Sequence, residues 1–225
     1  MSNKLFSLIC ESIYPTSRED FVDTWLSEMP MGIPSQNYYP SLMHNIKERI
    51  DAGLTRENVK SNLYRIVGPS IVHYWYEENN HIILGSEMDR KPQALVVNFT
   101  AKDPDLSKTM PNLSGKYYAS NLYLDIVNTS HTPIRLQSDQ SLSDEGMKIW
   151  KRLLSNGHKI VVYDTISPGA NREVVSDLDH LMKYFSHGDP NFKKYQYALV
   201  KSGEILAETI SMFNTRRFRE LAEIL

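Results

Sequence analysis

Apolar positions in this chain change their spacing as the sequence proceeds. Phe21, Val22, Trp25, Leu26 and Met29 recur at helical spacing, behind a Thr16 or Ser17 cap and an acidic Glu19-Asp20 turn, and predict a helix over Thr16–Met29. Pro30–Pro40, rich in Pro and Tyr, predicts a loop. Ser41–Ala52 predicts a second helix with Leu42, Met43, Ile46 and Ile50 inward and Lys47, Glu48 and Arg49 outward, and Thr55–Leu63 a third, short one. From Tyr64 the pattern turns to β-branched and aromatic runs: Arg65–Val67, Ile71–Tyr76, His81–Leu84 and Ala94–Val97. Gly68-Pro69, Glu78-Asn79-Asn80 and Arg90-Lys91-Pro92 separate them, with Asn79-Asn80 suited to a hairpin turn. This is an antiparallel meander.

Pro104–Ser114 predicts a long polar loop, and Tyr117–Val127 a helix with Tyr118, Leu122 and Ile126 on one face. A short strand around Ile134 and Leu136 then leads into the most regular stretch of the chain. Ser141 or Ser143 caps a helix whose first turn is acidic (Asp144-Glu145) and whose apolar stripe is Met147, Ile149, Trp150, Leu153 and Leu154. Lys148, Lys151 and Arg152 face water. Gly157 suits the left-handed residue past the helix end, and Ile160–Tyr163 returns as a strand. Ser167–Asn171 predicts a loop, Val174–Phe185 a helix, Lys194–Leu199 and Ile205–Phe213 a hairpin about Gly203, and Arg216–Leu225 a terminal helix.

These elements predict an α+β (mixed α/β) fold: a mostly antiparallel central sheet flanked by helices. The expected organisation is a single domain over 1–225. It comprises a helical extension (1–63) packed on a core (64–165), then a C-terminal helix, hairpin and helix (166–225).

Composition narrows the function classes. The chain carries 25 Lys+Arg against 27 Asp+Glu, net −2, so no global field draws it to nucleic acid or to an anionic membrane. No run is long and apolar enough to span a bilayer, and the N-terminus lacks a cleavage site of the signal-peptide kind. Cys10 is the only cysteine, which excludes an intrachain disulfide and a cysteine metal cage and points to a cytoplasmic setting. The histidines do not cluster at metal-ligand spacing: His180 and His187 with Asp177, Asp179 and Asp189 form only a loose polar neighbourhood, so no metal is expected. Thr215–Arg219 is a basic cluster partly cancelled by Glu220 and Glu223. No Gly-x-Ser-x-Gly or Walker-type loop is present.

Residues 70–165 resemble the core of the GNAT superfamily of N-acyltransferases in pattern and order. In the helix, Ser143 and Gly146 stand where that family has Asn-x-x-Ala, Trp150 where it has a Tyr, and Gly157-His158 ends the helix. Pro92–Pro104 is similar to the family's central strand, and Asn112–Ala119 to its pyrophosphate loop. The resemblance implies acetyl-CoA or another acyl-CoA as cofactor, with Val97, Asn98, Ser114, Gly115, Lys116, Tyr117 and Tyr118 as binding residues. It implies acyl transfer to a small-molecule or protein amine, which needs a base and an acid for the leaving thiolate. Glu77, Glu87 and His73 flank the expected acceptor cleft as candidate bases. Trp150 occupies the phenol's position with an indole N–H, a poor acid, so Tyr163 is the alternative. For each of these residues an ordinary structural role is the commoner one. A plain turn before a helix is the commoner role for Gly115, and Tyr117 is bulky for a loop that phosphates must approach closely. The other reading is a non-catalytic binding or assembly accessory protein on the same scaffold, of a kind common in phage and mobile-element genomes.

Overall fold

Asn79 and Asn80 both hold left-handed backbone, with φ of 52° and 61°. A two-residue hairpin needs that conformation, and Asn tolerates it. They join β3 (Ile71–Glu78) to β4 (His81–Lys91) in a computed structural model that describes residues 38–92, 94–130, 135–139, 142–164, 172–185 and 195–200. All of these belong to one compact unit. The meander continues on both sides, through β2 (Leu63–Val67) before β3 and β5 (Ala94–Lys102) after β4.

Upstream, the short helix expected over Thr55–Leu63 is replaced by a strand. β1 (Arg56–Lys60) pairs antiparallel with β2, and Ser61 supplies the turn at φ 48°. The segment has too few apolar residues for a helical face, and β2 offers it a row of backbone hydrogen bonds. Before it lies α1 (Tyr38–Asp51), which starts inside the stretch expected as loop. Only Leu42 and Ile46 of its predicted stripe are buried; Met43 and Ile50 stay 36% and 44% exposed.

The nine described strands form one mixed sheet in the order β1-β2-β3-β4-β5-β6-β9-β7-β8, where β6 is Arg135–Gln137, β7 Ile160–Asp164, β8 Arg172–Val174 and β9 Tyr195–Leu199. Every pairing is antiparallel except β5 with β6. Alternation along β3 sends side chains to opposite faces. Trp75 packs with Leu42, Ile46, Ile66, Ile82 and Ala101 under α1, while Tyr74 and Tyr76 join the main core. That core is closed by α3 (Ala119–Thr129) and α4 (Asp144–Ser155) through Leu122, Tyr123, Ile126, Met147, Trp150 and Leu153.

The ends of α4 follow the sequence signals. Ser143 Oγ accepts the Gly146 N–H at 3.1 Å. At the other end the N–H groups of Gly157 and His158 donate to the carbonyls of Leu154 and Leu153, with Gly157 at φ 81°, the Schellman pattern.

Three further expectations change. Pro104–Ser114 is not a plain loop: it holds α2 (Leu106–Thr109), with Leu106 buried in the core, and a 3-10 turn at Pro111–Leu113. The helix expected over Val174–Phe185 shortens to α5 (Leu178–Lys183), because Val174 pairs with Val161 in the sheet and Asp177 caps the helix start. Tyr195–Leu199 is no appended hairpin strand, since β9 inserts between β6 and β7 and carries Tyr197 into the core. The core therefore extends beyond 64–165 in both directions. The predicted helix at Thr16–Met29, the Ser167–Asn171 loop, the strand at Ile205–Phe213, the terminal helix, His187, Asp189 and the Thr215–Arg219 cluster lie outside the described residues. Among the described residues no helix is long and apolar enough to cross a membrane.

Candidate functional site

The parallel pair at the middle of the sheet is short. β5 and β6 meet only at Ala94↔Arg135, Leu95↔Leu136 and Val96↔Gln137. Beyond Gln137 the chain turns to β9, where Ser138 N–H donates to the Tyr197 carbonyl and Ser138 Oγ accepts the Tyr197 N–H. β5 runs on to Lys102 along β4, so the other edge of Val97–Lys102 has no strand partner among the described residues. Where the strands part, the register on β4 steps from Glu87↔Phe99 to Met88↔Val97 and leaves Asn98 as a β-bulge.

A polar network hangs on this bulge. Asn98 is exposed, and its Nδ2 donates to Asp89 Oδ1 at 3.0 Å and Glu87 Oε1 at 3.4 Å. Glu87 Oε2 also accepts from Asn45 Nδ2 of α1 at 2.7 Å and lies 3.0 Å from His73 Nε2. A carboxylate only accepts, so Nε2 carries the proton. The His73 hydrogen bond, with those of Asn45 and Asn98, outweighs partial burial and holds the Glu87 carboxyl below its usual range. Glu87 is thus a well-held anion and a weak proton acceptor. His73 is fully buried, and its Nδ1 has no partner among the described residues.

The loop from Asp103 to Tyr118 returns the chain from the open end of β5 to α3. Lys102 Nζ donates to the carbonyl oxygens of Ser114 (2.7 Å) and Tyr117 (3.0 Å). Burial lowers the Lys102 pKa. The Tyr117 ring turns from its own main chain onto Tyr76, 5.0 Å between centroids, and its hydroxyl joins Asn62 and Glu78. Tyr118 begins α3 with no capping side chain and no acidic residue in the first turn. Arg152 of α4 lies 3.7 Å over the Tyr118 ring, with Lys102 5.7 Å from it. Among the described residues Arg152, Lys102 and the exposed Lys116 have no carboxylate at ion-pair distance. The amides of this helix start have no capping side chain, and two cations, Arg152 and Lys102, lie at the Tyr118 ring beside them.

Of the predicted binding residues, Val97 and Asn98 fall at the parting of the strands and Ser114–Tyr118 at the helix start beyond it. Two qualifications apply in the loop: the Ser114 and Lys116 N–H groups are taken by the carbonyls of Pro111 and Leu113. A Cβ on Gly115 would meet nothing within 4 Å, so nothing among the described residues requires glycine there.

The candidate catalytic residues separate. Glu87 is beside the bulge. Glu77, 8% exposed, accepts from Trp75 Nε1 (2.9 Å) and pairs with Arg56 (2.8 Å), which ties β1 and α1's face of the sheet together. Tyr163 is on β7, with β6 and β9 between it and β5, and its ring lies under Arg135 at 5.3 Å. Trp150 is 1% exposed, centred 6.0 Å from both Tyr123 and Tyr197. Asp177 caps the start of α5, its Oδ1 accepting the His180 N–H, while His180 Nδ1 accepts the Ser176 N–H. Asp179 lies in the exposed first turn of α5. Among the described residues no group of three His, Cys, Asp or Glu side chains is placed to hold a metal.

Sequence reading missed Lys102, Arg152 and Asn45. Lys102 ends an apolar run, a weak signal; the other two act across elements and leave no local pattern. The chain matches no protein-family model, no curated protein and no solved structure.

Proposed function

We propose that the chain is a GNAT-like N-acyltransferase that takes its acyl group from acetyl-CoA or another acyl-CoA and passes it to a small-molecule or protein amine. One observation carries the reading: the two central parallel strands part after three residue pairs, with an uncapped, cation-flanked helix start at the open end. A residue order similar to that family's would place a thioester in such a gap and its phosphates at such a helix. The residues present fit the group. Unpaired backbone along Val97–Lys102 suits the amides of a pantetheine arm, and the helix start suits a pyrophosphate.

When bound, the acyl-CoA supplies an activated thioester carbonyl. The chain's own part is to hold and orient. The β5 edge fixes the arm, the bulge at Asn98 sets where the carbonyl lies, and the Glu87 carboxylate attracts an incoming ammonium to that point. Being a weak base, Glu87 positions the amine better than it deprotonates it.

The same features favour a second reading, a non-catalytic binding protein that keeps the cleft. The position of the phenol is filled by a buried Trp150, and the carboxylate beside the bulge is held as an anion. A thermal-shift titration separates the readings from their common failure. Acetyl-CoA at about a hundred times its dissociation constant is expected to add about 2.7 kcal/mol of stability. Thiol release with a panel of amines then marks the enzyme, and a shift without thiol release marks the binding protein. No shift with any short-chain acyl-CoA contradicts both.

A further inference from the structure

The two carboxylate oxygens of Glu87 are unequally held. Oε2 accepts from Asn45 Nδ2 at 2.7 Å and from His73 Nε2 at 3.0 Å, one donor from α1 and one from the neighbouring strand. Oε1 has a single partner among the described residues, the exposed Asn98 amide at 3.4 Å. That amide makes its shorter bond, 3.0 Å, to Asp89. One oxygen is fixed, and the other keeps acceptor capacity at the bulge.

His73 is a costly way to fill a core position. It stands opposite Ile66 of β2 and Glu87 of β4, fully buried, and its Nδ1 has no partner among the described residues. A buried nitrogen without a partner costs stability, and an apolar ring in its place would not. What the imidazole adds is the Nε2–H on Glu87. Every element around the carboxylate bears on it: His73 from β3, Asn45 from α1 and Asn98 from β5. On β4 itself Asp89 shares Asn98 and lies 3.5 Å from Lys91. Among these, the His73 bond does most to hold the Glu87 carboxyl below its usual range.

We propose that His73 is a positioning residue for a primary ammonium. It pins Glu87 Oε2 from within the sheet, so that Oε1 stands charged and open at the Asn98 bulge, and it does not touch the ligand. The proposal rests on the acyl-transfer reading for the ligand's class, an amine acceptor, and on geometry for the site. An anionic oxygen with room for a donor favours a cationic N–H over a neutral O–H. A free alkylamine and a lysine side chain present that same group.

The test is to titrate the full chain with n-butylamine, with N-acetyl-lysine amide and, as the uncharged control, with n-butanol, following the Asn98 side-chain amide resonances. It is run on wild type, His73→Phe, His73→Gln and Asn45→Ala. Wild type at neutral pH should show saturable shifts with an amine and none with butanol. Shifts with n-butylamine alone point to a small-molecule amine and shifts with the lysine probe to a protein one; either supports the proposal. His73→Phe is expected to weaken amine binding about fivefold or more while keeping acetyl-CoA affinity within about twofold. His73→Gln, whose amide N–H can still donate to Oε2, should restore most of the loss. As pH falls, amine binding should disappear at a higher pH in His73→Phe than in wild type, because a less supported carboxylate takes up its proton sooner. Asn45→Ala removes the other Oε2 donor from the outer helix, should act in the same direction, and decides the matter where His73→Phe does not fold. Unchanged amine binding in these variants overturns the proposal, as does a His73→Gln protein as weak as His73→Phe, an equal loss of acetyl-CoA, or butanol binding like an amine. Amine binding that depends on His73 in a protein with no affinity for acetyl-CoA sinks the acyl-transfer reading and leaves the positioning role standing. Acetyl-CoA binding with no amine shift at Asn98 in wild type ends the proposal and leaves that reading.

Discussion

Trp150→Ala is expected to lose about 3–5 kcal/mol of folding stability, the range for truncating a large buried aromatic. Trp150 sits at the centre of the apolar stripe of α4 and touches Tyr123 of α3 and Tyr197 of β9, so its removal opens a cavity between three elements. Tyr123 and Tyr197 cannot simply close over the space. Tyr123 is hydrogen-bonded to Thr100 and Tyr197 to the Leu181 carbonyl. Denaturant unfolding should show a lower midpoint. Trp150→Phe should recover much of the loss, because a second aromatic ring refills most of the cavity. A stable Trp150→Ala protein would mean that the face assigned to α4 is wrong.

Gly85→Val is the second large effect, about 1–3 kcal/mol for overpacking a tight contact. A Cβ at Gly85 would stand 2.8 Å from Leu42 Cδ2, 2.9 Å from Trp75 Cβ and 3.0 Å from the Tyr74 carbonyl. The Leu42 tip can rotate aside. The Trp75 and Tyr74 atoms belong to the neighbouring strand and cannot. The gain in strand propensity from Val is too small to offset this. Relief is expected by lifting α1, so amide exchange in Tyr38–Asp51 should speed up more than in β7 or α4. A variant as stable as wild type, with α1 still protected, would contradict the close seating of α1 on β4. Because Asn45 of α1 reaches Glu87, lifting the helix should also disturb the network at the bulge.

What could be read from residue order was local. Asn79-Asn80 announced its hairpin, Ser143 its cap and Gly157 its helix stop, because each acts within a few residues of itself. Trp150 was legible as core from spacing alone. β1 was not, since an edge strand such as Arg56–Lys60 can be almost wholly polar, its stability coming from backbone pairing with β2. The insertion of β9 between β6 and β7 depends on partners far away in sequence and has no local trace. The candidate site divides in the same way. Its loop and central strand stood out as segments, whereas the bulge at Asn98, the grip of Lys102 on Ser114 and Tyr117, and the placing of Arg152 over Tyr118 appear only once the elements pack. The parting of β5 and β6 is a consequence of Ser138 bonding to Tyr197, a contact between residues 59 positions apart.

The most direct test of the central claim is to follow backbone amide resonances as acetyl-CoA is added. The account predicts saturable shifts at Val97–Phe99 on β5 and at Gly115, Tyr118, Ala119 and Ser120 at the start of α3, with little change in α5 or β8. Saturable shifts confined to other regions, or none up to millimolar ligand, would contradict it.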